Sequence, residues 1–304
     1  MTDTDSNDGS DSGSDHGSGA GEVRTLAARQ VSGVITHHGE GPVWSQRRQC
    51  LHLVDLLAGA IVRLDPHNGH HNRLSVGAVA AAFRPRADGG LVVAVERGFA
   101  LIDPDGEQHQ LQTLWSDTGV RMNDGGTDPD GRFYCGSMGY DGAPGRGEFW
   151  RLNPDLSADR LWSDVTVSNG FAFSPDHRQA YYIDTPTGRV DVLDYVDGEL
   201  VNRRPAVAEA GHPDGMTVDV DGNLWVAQFG GSSVLQFSPA GDLLTRVEVG
   251  ARQVTACTFG GGDLSTLYIT TSREGLAAGD DPAAGAVFAV VPGTSGMPAL
   301  EFAG

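Results

Sequence analysis

Four oxygen-bearing side chains recur at one place in this chain: Glu40, Asn123, Asn169 and Asp214. Each opens a short apolar stretch and stands close to a glycine, in GEGPVW, MNDGG, SNGF and PDGM. Singly, an Asn or Asp beside Gly reads as a turn residue. Glu is not a favoured turn residue, however, and a repeat defined without reference to these residues aligns all four. Two carboxylates converging in a narrow channel repel one another and are costly to desolvate. A cation removes that cost. Two carboxylates and amide oxygens, with neither sulfur nor imidazole, suit a hard ion such as Ca2+, Mg2+ or Mn2+.

The repeat that aligns them rests on six β-like runs. They are Leu51–Asp55, Leu91–Val95, Phe133–Ser137, Ala180–Asp184, Leu224–Gln228 and Leu267–Thr271, whose starts are 40, 42, 47, 44 and 43 residues apart. The last five follow turn-rich segments such as RADGG, DPDGR and DVDGN, whose Asp-Gly and Pro-Asp pairs supply hairpin conformations. A second β-like stretch follows each run, another precedes it, and a weaker polar segment such as HHNRLSV or LLTRVEV closes the unit. Four strands every 40 to 47 residues, six times over, is the period of propeller blades. The expected fold is an all-β, six-bladed β-propeller over residues 22–304 with four-stranded blades. An α/β fold would need amphipathic helical stretches between the runs, and none of convincing length is present. A β-helix would have a shorter period. In a propeller the first strand of each blade lines the central channel. Counting back 10 to 11 residues from each run gives Glu40, Ala80, Asn123, Asn169, Asp214 and Ala256. Val23–Gln30 precedes the first full blade and is expected to join the blade that holds the C-terminal strands, closing the ring.

Composition narrows the partners. The 304 residues carry 40 acidic and 21 basic side chains, a formal net charge of −19, and every basic residue is arginine. Such a surface repels phosphate backbones and anionic lipid, so neither nucleic acid nor a membrane surface is an expected partner. The 43 glycines between short apolar runs fit a protein of many tight turns. Cys50, Cys135 and Cys257 are far apart and form no CxxC pair, which points to buried free thiols in a reducing compartment. Residues 1–21 are Asp, Ser and Gly with almost nothing apolar, and are expected to form a disordered acidic tail rather than a signal peptide. No stretch approaches 18 consecutive apolar residues. A cytoplasmic protein, monomeric or weakly self-associating, is the expectation.

With these motifs in place, the chain resembles the gluconolactonase and regucalcin (senescence marker protein) family over about residues 35–304. The resemblance is carried by GEGPVW, RMNDGGTDPDGRFYCGSM, SNGFAFSPD, YYIDT, HPDGMTVDVDGNLWVA and TACTFGGGDLSTLYITTSR, in family order and spacing. It implies a six-bladed propeller with one divalent cation, Ca2+ first and Zn2+, Mg2+ or Mn2+ as the other ions. It also implies hydrolysis of a sugar lactone to its aldonic acid. Carried over residue by residue, the metal ligands fall on Glu40, Asn169 and Asp214, the catalytic acid/base on Asp214, and substrate contacts on Arg121 and Asn123. Glu148, which opens a strand, and His212, before PDGM, carry no assigned role. A non-catalytic metal-binding propeller and a phosphotriesterase-like hydrolase are the alternatives. Arg121 beside Asn123 favours an enzyme, because a pure cation site needs no arginine. A nucleophilic serine is not expected, since no GxSxG occurs.

Overall fold

The structure is a computed structural model that describes residues 22–304; the tail expected over residues 1–21 lies outside them. Six antiparallel sheets follow one another along the chain, and helix is confined to two short turns. The inner strands are Gly39–Ser45, Ala80–Pro85, Val120–Thr127, Ser168–Phe173, Pro213–Val218 and Val254–Gly260. Each packs against the inner strand of the next blade, and the last packs against the first, which closes the ring. The six runs found in the sequence are the second strands, from Cys50–Asp55 to Thr266–Thr271. They are almost wholly buried because neighbouring blades cover both faces. The outermost strands, such as His71–Ser75 and Gln108–Thr113, are exposed, which is why they read as weak polar segments.

Aromatic side chains fill the spaces between blades. Trp44 of blade 1 stacks on Tyr268 of blade 6, with ring centroids 5.4 Å apart. Tyr134, Phe149, Phe171 and Tyr182 form a buried cluster between blades 3 and 4.

One irregularity recurs in every blade. Each inner strand loses register with its neighbour once, between Glu40 and Val43, Ala80 and Ala82, Met122 and Gly125, Asn169 and Phe171, Pro213 and Met216, and Val254 and Cys257. All six positions counted back from the runs lie at these bulges. A bulge re-aims a side chain without ending the strand, so the ring carries six re-aimed positions at one level of the channel.

The N-terminal segment divides between two blades. Arg29–Gln30 pairs with Phe288–Val290 and completes blade 6, as expected. Arg24–Ala27 instead pairs in parallel with Leu243–Glu248 as a fifth strand of blade 5. Between the two, the Ala28 N–H donates to the Glu248 carbonyl at 2.8 Å, which carries the chain from one blade to the next. At the other end of the chain, Gly296 bridges to Asp219 of blade 5 and Phe302 to Arg86 of blade 2. This strap crosses the lower end of the channel. Met297–Leu300 there face a cavity of about 130 Å³ that all six inner strands also line. Among the described residues no helix is long and apolar enough to cross a membrane.

Candidate metal centre

The proposed ligands stand where the inner strands begin, at the end of the channel opposite the strap. The second strand of each blade fixes these beginnings from behind. Asp55, the last residue of its strand, accepts the His37 and His38 N–H groups at 3.0 Å each, two residues before Glu40. Asp184 accepts the Val167 N–H at 2.8 Å, two residues before Asn169. Gln228 accepts the His212 N–H at 3.1 Å, two residues before Asp214. In three blades the same strand-end residue ties down the turn that delivers a ligand.

Glu40, Asn169 and Asp214 are 3%, 4% and 6% exposed. Burial, followed by the charges of Asp214 and Asp124, pushes the Glu40 carboxyl well above its ordinary value. Burial and the Asp124 charge do the same to Asp214, while Arg121 acts in the opposite sense. Asp124 is a third buried carboxylate, raised by burial and opposed by Arg84. Its Oδ1 accepts the Gly125 N–H at 2.7 Å. Three buried carboxylates set against the guanidiniums of Arg84 and Arg121 leave an excess of negative charge, which a hard divalent ion would relieve.

The amides are held in a chain that runs across three blades. An Arg121 Nη donates to Asn123 Oδ1 at 2.5 Å, and Asn123 Nδ2 donates to Asn169 Oδ1 at 3.0 Å and to the Ser168 carbonyl at 2.7 Å. Asn169 Nδ2 donates to Thr185 Oγ1 at 2.8 Å, and Thr185 donates to the Pro213 carbonyl at 2.7 Å. Thr185 thereby fixes which way the Asn169 amide faces, leaving its oxygen beside Asn123. Asn123 Oδ1 already accepts from Arg121, so its place is between the arginine and Asn169. The donor set of Glu40, Asp214 and the Asn169 oxygen fits a divalent cation, with Asn123 adjoining it.

Arg121 is buried, and its Nε has no hydrogen-bond partner among the described residues. Its guanidinium lies over the Tyr140 ring, 5.7 Å from the centroid. The Tyr140 hydroxyl donates to Glu96 at 2.7 Å. An Arg121 Nη also donates to the Met122 carbonyl at 3.0 Å, so an aromatic face, an amide and a carbonyl together place the guanidinium.

Sequence reasoning did not single out Asp124, Arg84, Thr185 or Tyr140. Asp124 stands next to Asn123 and was within reach of the same alignment. The others lie outside the aligned inner-strand positions and carry no such signal. Glu148 is held along blade 3, accepting from Arg160 at 2.6 Å and from Trp150 Nε1 at 3.1 Å. His212 is exposed next to Pro213, with its backbone held by Gln228. A separate group of Asp103, Glu107 and His109 brings ligand atoms within 4.8 Å of one another. It sits on the outer side of blade 2, and Asp103 is already committed to Arg86 and His109 at 3.1 and 3.0 Å.

The sequence profile described as SMP-30/Gluconolactonase/LRE-like region matches residues 38–273. A 6-deoxy-6-sulfogluconolactonase of Pseudomonas putida is 38% identical over 277 residues, 88% of this chain and 95% of its own length. Regucalcin of Bos taurus is 34% identical over 285 residues, again 88% of this chain and 95% of its own. Among solved structures, a luciferin-regenerating enzyme superposes with a TM-score of 0.81 at 30% identity, covering 88% of this chain and 96% of that one.

Proposed function

Since the chain belongs to the SMP-30/gluconolactonase/LRE-like family, we propose that it is a divalent-metal-dependent lactonase that opens a sugar lactone to its aldonic acid. One observation carries this reading. Two buried carboxylates and an oriented amide oxygen stand with a buried arginine whose guanidinium is held by Asn123 and lies over the Tyr140 ring. A cation alone would not call for Arg121.

Glu40, Asp214 and Asn169 hold the ion, with Ca2+ the best match to an all-oxygen set. When bound, the ion supplies Lewis acidity that lowers the cost of negative charge on the lactone carbonyl oxygen and on an attacking water. Arg121 and Asn123 orient the sugar hydroxyls, and Arg121 offers charge-assisted hydrogen bonding to the oxygen that becomes negative. Asp214 takes the proton from the water and returns it to the ring oxygen as the C–O bond breaks. Tyr140 holds the guanidinium from one side, limiting where a substrate can lie.

The test is a panel of glucono-, galactono- and pentonolactones assayed by acid release. Chelated protein is compared with protein given back Ca2+, Zn2+, Mg2+ or Mn2+. Activity that disappears on chelation and returns with one of these ions is the expected result. No hydrolysis of any lactone with any ion would leave a binding propeller.

A further inference from the structure

Glu274 follows the second strand of blade 6, at the mouth end of the channel. Three contacts fix its backbone and side chain. Its N–H donates to Ser272 Oγ at 3.0 Å, and its carbonyl accepts from Gln253 Nε2 at 2.9 Å. Its Oε2 lies 2.8 Å from His38 Nδ1, which is itself 2.8 Å from Ser272 Oγ. His38 is buried and its backbone is tied to Asp55. The carboxylate is therefore rigidly placed, yet its side chain remains 42% exposed, which leaves its other oxygen free for a partner. A fixed acid that is half open to solvent contributes little to the core.

Its neighbours point to a use. Among the charges acting on Arg121, that of Glu274 is the strongest, and the same charge acts on Asp214. The contact of Glu274 with His38 ties it to the start of the inner strand that carries Glu40, two residues further on. Two arginines of blades 2 and 3 are matched by acids. Arg97 lies 3.6 Å from Glu96, and Arg146 pairs with Asp117 and Asp141 at 2.8 and 3.0 Å. A ligand that enters the mouth meets acceptor oxygens beside an arginine whose charge Glu274 offsets.

On the lactonase reading, we propose that Glu274, held by His38, is a specificity-determining residue: it accepts hydrogen bonds from substrate hydroxyls and selects neutral polyhydroxylated lactones over lactones bearing an anionic substituent. A hydroxyl gives the carboxylate a charge-assisted hydrogen bond. A carboxylate or sulfonate on the substrate meets it as a like charge.

The experiment uses metal-loaded full-length protein and two lactones, gluconolactone and one bearing a terminal sulfonate or carboxylate. The readout is the ratio of their kcat/KM values. Wild type should favour the neutral lactone at least tenfold. Glu274→Gln and Glu274→Ser should each compress that ratio by tenfold or more. KM should rise for the neutral lactone and fall for the anionic one. Glu274→Asp, which keeps the charge, should restore most of the preference; a merely structural role would not sort the variants by charge. A ratio within twofold of wild type in both neutral variants overturns the assignment while leaving the lactonase reading intact. So does a Glu274→Asp that behaves like Glu274→Gln. A wild-type protein that hydrolyses neither lactone with any ion removes both.

Discussion

Asn169 and Asp214 enter the channel from adjacent blades, but they should fail differently. Asn169 contributes a neutral oxygen whose direction Thr185 sets at 2.8 Å. Asn169→Ala should weaken metal affinity, with activity partly recovered at high metal concentration. Asp214→Asn keeps an oxygen of similar size and removes the base. It should stay depressed by roughly 10²–10⁴-fold even when saturated with metal. Calorimetric metal titration alongside steady-state rates separates the two; near-wild-type turnover by saturated Asp214→Asn would make Asp214 a ligand only and turn attention to Glu40. The shared position of these residues could be read from the repeat, because Glu40, Asn169 and Asp214 lie 10 or 11 residues before their blades' second-strand runs. Asp124 could not be separated from its neighbour Asn123, since one offset cannot distinguish two residues inside a bulge. Glu274 belongs to a loop after a second strand, where the alignment has nothing to say.

At the scale of elements, the glycine beside each ligand changes its meaning. In the sequence it reads as a turn residue, yet these glycines lie within strands. A Cβ on Gly170 would come within 2.9 Å of the Asp214 carbonyl and 2.8 Å of Ile183 Cδ1. A Cβ on Gly215 would lie 2.5 Å from Ala256 Cβ in the next blade. The glycines allow neighbouring inner strands to approach closely, and so set the width of the ring at the ligands. Gly170→Ala should therefore act on both stability and the site. Overpacking of this kind costs about 1–3 kcal/mol, a fall in Tm of about 3–8 °C at this size. Metal affinity should weaken at least about tenfold as Asp214 is pushed outward. A thermal scan and a metal titration unchanged from wild type would show that the strands have slack there. The bulges were not legible, because a one-residue slip leaves the period of 40 to 47 residues intact.

For the whole molecule, the number and order of blades were evident from turn spacing, whereas the closure was only half evident. A β-like segment before the first blade pointed to a closing strand. The parallel pairing of Arg24–Ala27 with blade 5 depends on where Glu248 leaves the chain end of its strand, which no local pattern records. Leu26 and Ala28 pack against the core shared by blades 1, 5 and 6. A protein beginning at residue 31 should lose both seams, leave the edges of blades 5 and 6 bare, and melt about 10 °C lower. Equal melting temperatures would mean that the ring holds without its clasp. The clasp also has a timetable. Arg29 pairs with Ala289 and Arg24 with Thr245, so the first strands made must wait for the last. At ribosomal speeds that interval is on the order of 10–50 s. During it, Arg24–Gln30 hangs free and the growing row of blades has an open end, where a second nascent chain can pair in its place. Once shut, the same long-range join should make the ring slow to reopen, so that its lifetime is set more by a barrier than by the depth of its free-energy well.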